Sequence, residues 1–107
     1  MYNSNMWEID DIDFEWDPEK AAINLAKHGV SFEDAMRVFF DPYARLFADP
    51  DHSGDEERFV IVGMDLKARV LTVCHCQRGL GDVVRIISAR KATKTESAEY
   101  WRYCHEG

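Results

Sequence analysis

The sequence predicts an α+β domain: a small antiparallel sheet with an αα-hairpin near the N-terminus and one helix at the C-terminus. Three observations point there. Helix-capping patterns lie towards the two ends of the chain, short apolar runs fill the stretch between them, and tight-turn signals join those runs. At 107 residues the chain supports one domain with one modest core.

Residues 1–13 are acidic, with Met6, Trp7, Ile9 and Ile12 irregularly spaced, and read as a tail or an added edge segment ahead of a single domain at 14–107. Phe14-Glu15-Trp16 is short and alternating, as suits an edge strand. Asp17-Pro18 then opens a helix, with Asp17 as cap and Pro18 at the first helical position, where a missing N–H costs nothing. Ala21, Ala22, Leu25 and Ala26 give that helix a small-residue face, Lys27-His28 place cations at its negative end, and Gly29 stops it. Ser31 to Asp34 has capping-box spacing with Asp34 in place of Glu, and Phe32, Ala35, Met36 and Phe39 follow on one helical face until Asp41-Pro42.

The next stretch is mostly strand. Residues 44–48 form a short one, 49–57 a polar loop, and 59–64 a nearly continuous apolar strand covered on both sides. Residues 65–69 make a hairpin connection to a strand at 70–76, and Gly79 and Gly81 mark the turn into another at 83–89. Thr93-Lys94-Thr95-Glu96 is a full capping box, opening a helix that runs to about Cys104.

The net charge of −7 is unevenly placed: residues 1–57 carry −11 and residues 58–107 carry +4. Residues 58–94 alone carry +6, so an acidic chain still has a directional field and a basic surface fit for an anionic partner. No apolar run approaches the ~18 residues of a membrane span. Residues 1–13 lack a basic start and an apolar core, so no secretory signal is expected. Three cysteines, an odd number, suit reduced thiols in a cytoplasm.

Six strings follow one another along the chain: Phe14-Glu15-Trp16-Asp17-Pro18, Lys27-His28-Gly29-Val30-Ser31-Phe32, Asp41-Pro42, Glu56-Glu57-Arg58-Phe59, Arg85-Ile86-Ile87-Ser88-Ala89-Arg90 and Ala92-Thr93. Together, over about residues 14–103, they resemble the BrnT toxin family. The resemblance implies a RelE-like fold and a growth-arresting, metal-independent endoribonuclease without a cofactor. It also implies a BrnA-like ribbon-helix-helix antitoxin, expected as a 2:2 complex, through which alone operator DNA would be bound.

A ribonuclease of that kind activates a 2′-OH, stabilises the charged phosphorane and protonates the leaving oxygen. Glu57, Arg58, Arg85 and Arg90 stand at the motif positions, with Lys27, His28 and Tyr100 behind them: Glu57 or His28 is the expected base, Arg58, Arg85 and Arg90 the expected phosphate ligands and Tyr100 the expected acid, with Lys27, Lys91 and Lys94 expected to bind RNA. Each has a bland alternative. Glu57 and Arg58 flank a buried strand where a structural ion pair is common, and His28 at a helix C-terminus is stabilised without catalysis. Tyr100 sits beside Trp101 and Tyr103, where core packing explains it equally well. Arg85 and Arg90 are five apart, so a regular strand would face them oppositely; they share a pocket only if the strand ends or bulges before Arg90.

Two metal patterns are weak. Asp49, Asp51, Ser53, Gly54 and Asp55 imitate a calcium loop, but Pro50 interrupts it and Val60 holds the position that needs a bidentate Glu. Cys74-His75-Cys76 and Cys104-His105 suggest zinc, yet His75 should point away from both neighbouring thiols on a strand. The competing functions are therefore a catalytically inactive RelE-like module serving a DNA-binding repressor, and a small metal-binding or stress protein using the acidic loop.

Overall fold

The computed structural model describes residues 5–9, 12–49, 57–79 and 81–106, with side chains from residue 12 onward. Its elements are β1 (Asn5–Ile9), β2 (Ile12–Trp16), α1 (Pro18–His28), α2 (Phe32–Met36) running into a 3-10 turn (Arg37–Phe40), β3 (Arg45–Ala48), β4 (Arg58–Met64), β5 (Val70–Arg78), β6 (Val83–Lys91) and α3 (Lys94–Glu106). The strands form one six-stranded sheet in the order β1-β2-β6-β5-β4-β3. The expected αα-hairpin, sheet and C-terminal helix are all present.

The capping residues act as their chemistry requires. Asp17 Oδ1 accepts the Glu19 N–H at 2.9 Å, and Gly29 ends α1 in the left-handed conformation at φ 71°. Ser31 Oγ accepts the Asp34 N–H at 3.0 Å. The reciprocal half of that box is taken over by ion pairs, because Asp34 turns to Lys67 and Arg69. At α3 the box is complete: the Glu96 N–H donates to Thr93 Oγ1, and the Thr93 N–H donates to Glu96 Oε1.

Two expectations about packing are corrected. Phe14-Glu15-Trp16 does not lie at an edge; β2 is flanked by β1 on one side and by β6 on the other, and its pairing with β6 is parallel. The chain leaves β2 through α1 and α2 and returns to its side only after β3, β4 and β5, so a hairpin could not have joined that pair. Nor does α1 present a small-residue face. Ala22, Leu25 and Ala26 are exposed, and the buried residue of the helix is Asn24. β2 pairs with β6 only over Val83–Arg85, and beyond that point Asn24 takes the place of a strand. It donates to the Ala89 carbonyl at 2.9 Å and accepts the Ala89 N–H at 3.1 Å, satisfying two buried backbone groups.

The core lies between α2 and one face of the sheet. Phe14, Trp16, Phe32, Leu71, Val73 and Ile86 are buried there, with Trp16 edge-on to Phe32 at 5.8 Å. The helical face read from sequence holds: Phe32, Ala35 and Met36 are buried and Phe39 is half-buried. β5 and β6 are out of step at one place, where Cys74 pairs with Ser88 and His75 pairs with Ile86, leaving Ile87 as an extra residue.

Candidate functional site

Residues directly opposite on neighbouring strands share a face of the sheet, so the register lays out the side away from the core. One row is Arg45, Val62, Thr72 and Arg90; the next is Phe47, Val60, Cys74 and Ser88; the third is Arg58, Cys76, Arg85 and Glu15. The bulge at Ile87 restores the parity between Arg85 and Arg90. Val84, Ile86 and Ala89 are in the core, and both arginines project from the opposite face. The extra residue gives these two arginines one face of the sheet but not one pocket, because Arg90 lines the cleft beneath α3 and Arg85 does not.

α3 stands over the first row and leaves a cleft of about 610 Å³, lined by Arg45, Phe47, Thr72, Ser88, Arg90 and Tyr100 among others. Arg90 is fixed there by Glu96, Nη1 to Oε1 at 2.8 Å and Nη2 to Oε2 at 3.0 Å. Glu96 also accepts from Thr72 Oγ1 at 2.9 Å. The Arg90 pairing, helped by the Thr93 and Thr72 donors and opposed by burial, holds the Glu96 carboxyl down at about 2. Tyr100 donates its hydroxyl proton to Asp41 Oδ2 at 2.6 Å. Burial and that bond hold the phenol well above its usual range. As a proton donor to a leaving oxygen, Tyr100 would first have to leave Asp41.

The third row carries a buried carboxylate between two guanidinium groups. Glu15 is 6% exposed; Arg85 Nη1 lies 2.6 Å from its Oε2 and Arg78 Nη1 lies 3.8 Å from the same oxygen. Arg58 is exposed at the start of β4, in the same row two strands from Arg85, and Glu57 is exposed just ahead of it.

Lys27 and His28 line a second, smaller groove of about 200 Å³ between α1 and β6, together with Lys20, Asn24, Ile87 and Ser88. Ser88 borders both grooves. The structure thus brings Arg90 and Tyr100 into one cleft, puts His28 and Lys27 in the neighbouring groove, and leaves Arg85 outside both, on the same sheet face as Arg90. Lys91 and Lys94 are exposed at the junction of β6 and α3.

Glu15, Asp41, Arg45 and Ser88 were not singled out from the sequence. Glu15, Asp41 and Ser88 stand inside the motif strings and offered that much signal. Nothing in the sequence places Arg45 beside Arg90. The calcium-like loop lies largely outside the described residues. Among the described residues no three His, Cys, Asp or Glu side chains converge as metal ligands. Cys74 and Cys76 lie on the cleft side of the sheet, whereas His75 packs against Phe39 and Phe59 in the interior.

Among the described residues no helix is long and apolar enough to cross a membrane. No protein of curated function matches the chain. The crystal structure of the Brucella abortus ribonuclease toxin BrnT, determined at 1.1 Å, is similar in fold, with a TM-score of 0.56 and 25% identity over 74% of this chain and 94% of that one. Residues 16–96 match the family described as the ribonuclease toxin BrnT of type II toxin–antitoxin systems. With most of the domain inside that match and the same α+β architecture, the chain belongs to the BrnT family of ribonuclease toxins.

Proposed function

We propose that this toxin is a cytoplasmic, metal-independent endoribonuclease of RelE-like type that cleaves RNA by attack of a ribose 2′-OH on the adjacent phosphate. The observation that carries this reading is the bulge at Ile87, which sets Arg85, Ser88 and Arg90 on one face. A phosphate lying over Ser88 would have a guanidinium along β6 on either side and the His28 groove at its flank. Each guanidinium is oriented by a carboxylate, Arg85 by Glu15 and Arg90 by Glu96, and a guanidinium is the side chain suited to phosphorane charge. Of the two base candidates the arrangement favours His28, which borders the Ser88 groove, over Glu57, which lies ahead of β4. Arg58, Lys27, Lys91 and Lys94 then extend the cationic track for RNA.

Membership of a type II family gives the toxin an antitoxin partner. We take that partner to be BrnA-like, with a ribbon-helix-helix segment whose dimerisation yields a 2:2 complex that alone contacts operator DNA. Induced alone in a bacterial host, the toxin should arrest growth and its antitoxin should restore it; unimpeded growth with abundant folded protein would instead favour an inactive binding module. That second reading draws on the pairing of Arg85 with Glu15 and Arg90 with Glu96, since purely structural ion pairs have the same geometry.

A further inference from the structure

We infer that Arg45 is a phosphate-binding residue of this site, held ready at the rim of the cleft by two aromatic rings. The inference rests on the ribonuclease reading and adds a residue to it. Arg45 and Arg90 are the two cations that line the cleft. Arg90 is committed to Glu96 through both terminal nitrogens. Arg45 differs: its Cζ lies 5.3 Å from the Phe47 ring centroid and 4.7 Å from that of Tyr103. No ion pair neutralises it among the described residues.

Contacts of this kind hold the guanidinium through the π-faces of the rings and not through a hydrogen bond to an oxygen acceptor. The rings therefore restrain the side chain without consuming a donor, so less conformational entropy is left to lose when a phosphate binds. β3 and α3 create the arrangement. Arg45 and Phe47 are two apart on the edge strand and share its cleft side, and Tyr103 comes across from the helix. Phe47 and Tyr103 are each 41% exposed, which sets the stack at the mouth of the cleft where a single strand of RNA would enter. Arg45 lies in one cross-strand row with Arg90, so a backbone running from rim to floor would meet the unneutralised cation first.

The test is fluorescence anisotropy of a labelled single-stranded RNA oligonucleotide, 2′-O-methylated throughout so that it cannot be cleaved, across a salt series. Arg45→Gln should weaken binding about tenfold and reduce the slope of log affinity against log salt by about 0.7, the signature of one lost phosphate contact to a single strand. Tyr103→Leu should weaken binding less and leave the slope unchanged, because the charge remains and only its restraint is lost. Parent-like affinity and slope in folded Arg45→Gln would overturn the inference, and leave the ribonuclease reading intact if the parent binds and cleaves RNA. Should Arg45→Gln fail to fold, parent-like affinity in Tyr103→Leu overturns the stacked arrangement. A parent that neither binds nor cleaves RNA overturns both.

Discussion

Arg90 and Glu96 meet fork to fork, and the carboxylate that holds the guanidinium is the same one that caps α3. One residue thereby ties the end of β6 to the first turn of the last helix. Glu96 has a folded pKa of about 2 against an ordinary 4.5, set chiefly by the Arg90 hydrogen bonds. A lowered carboxyl pKa stabilises the folded state fully above 4.5, and that contribution is lost as pH falls towards 2. Glu96→Gln should cost on the order of 2 kcal/mol at neutral pH. Denaturant unfolding of parent and variant should show the gap constant above pH 5 and closing below it; a gap undiminished at pH 3 would refute the role given to this carboxylate.

His75 makes a second acid window, higher than the first. Its ring is fully buried between Phe39 at 4.7 Å and Phe59 at 6.0 Å, and neither ring nitrogen meets a partner at hydrogen-bond geometry among the described residues. Burial pushes its pKa from 6.5 down to about 4. The unfolded chain therefore takes up a proton that the folded one refuses, and stability falls as pH drops from 6.5 to 4, by as much as about 3 kcal/mol. His75→Leu should flatten the profile across that window and stay within about 1 kcal/mol of the parent at pH 7, since it removes unpaired buried polar atoms. Parallel pH profiles for the two proteins would contradict this.

Gly63 is where β4 passes beneath the turn that carries Asp41. A Cβ there would sit 2.9 Å from Ala44 Cβ and Val38 Cγ1, and 3.2 Å from Asp41 Oδ2. Asp41 Oδ2 in turn accepts the Met64 N–H at 2.7 Å and the Tyr100 hydroxyl at 2.6 Å. Gly63→Ala should cost about 1–3 kcal/mol and disturb the Tyr100 wall of the cleft. Thermal melting reads the first effect and tyrosine ultraviolet titration the second; an unchanged melting temperature would refute the close packing.

How far the sequence reveals this molecule follows from which signals are local. Asp17-Pro18, Gly29 and the Thr93 to Glu96 box act within one helical turn, so the helix boundaries could be read directly. The inner face of α1 could not, because Asn24 is drawn inward by a backbone 65 positions away. The same limit applies at the site. Arg85 and Arg90 could be nominated from their motif, but their common face depends on a bulge visible only in the pairing of β5 with β6. Glu15 reads as an alternating strand residue until Arg85 and Arg78 arrive from elsewhere in the chain.

The charge split bears on the antitoxin. With +6 over residues 58–94, an acidic element covering the cationic face would associate fast and with marked salt dependence. Stopped-flow association of purified toxin and antitoxin should slow by about tenfold or more from low to physiological salt. A rate independent of salt would remove the electrostatic account of the encounter. Light scattering of the complex checks the 2:2 assembly, which a one-to-one mass would contradict.

Metal-free attack by the 2′-OH is tested most simply by cleavage of a 5′-labelled RNA by the purified toxin in the presence of a strong chelator, with analysis of the product ends. Fragments ending in 2′,3′-cyclic phosphate should form without added metal. Folded His28→Ala and folded Arg85→Ala should each lose about 10²-fold or more in rate. Cleavage that requires a divalent cation and leaves 3′-hydroxyl ends, or parent-like cleavage by both variants, would contradict that mechanism.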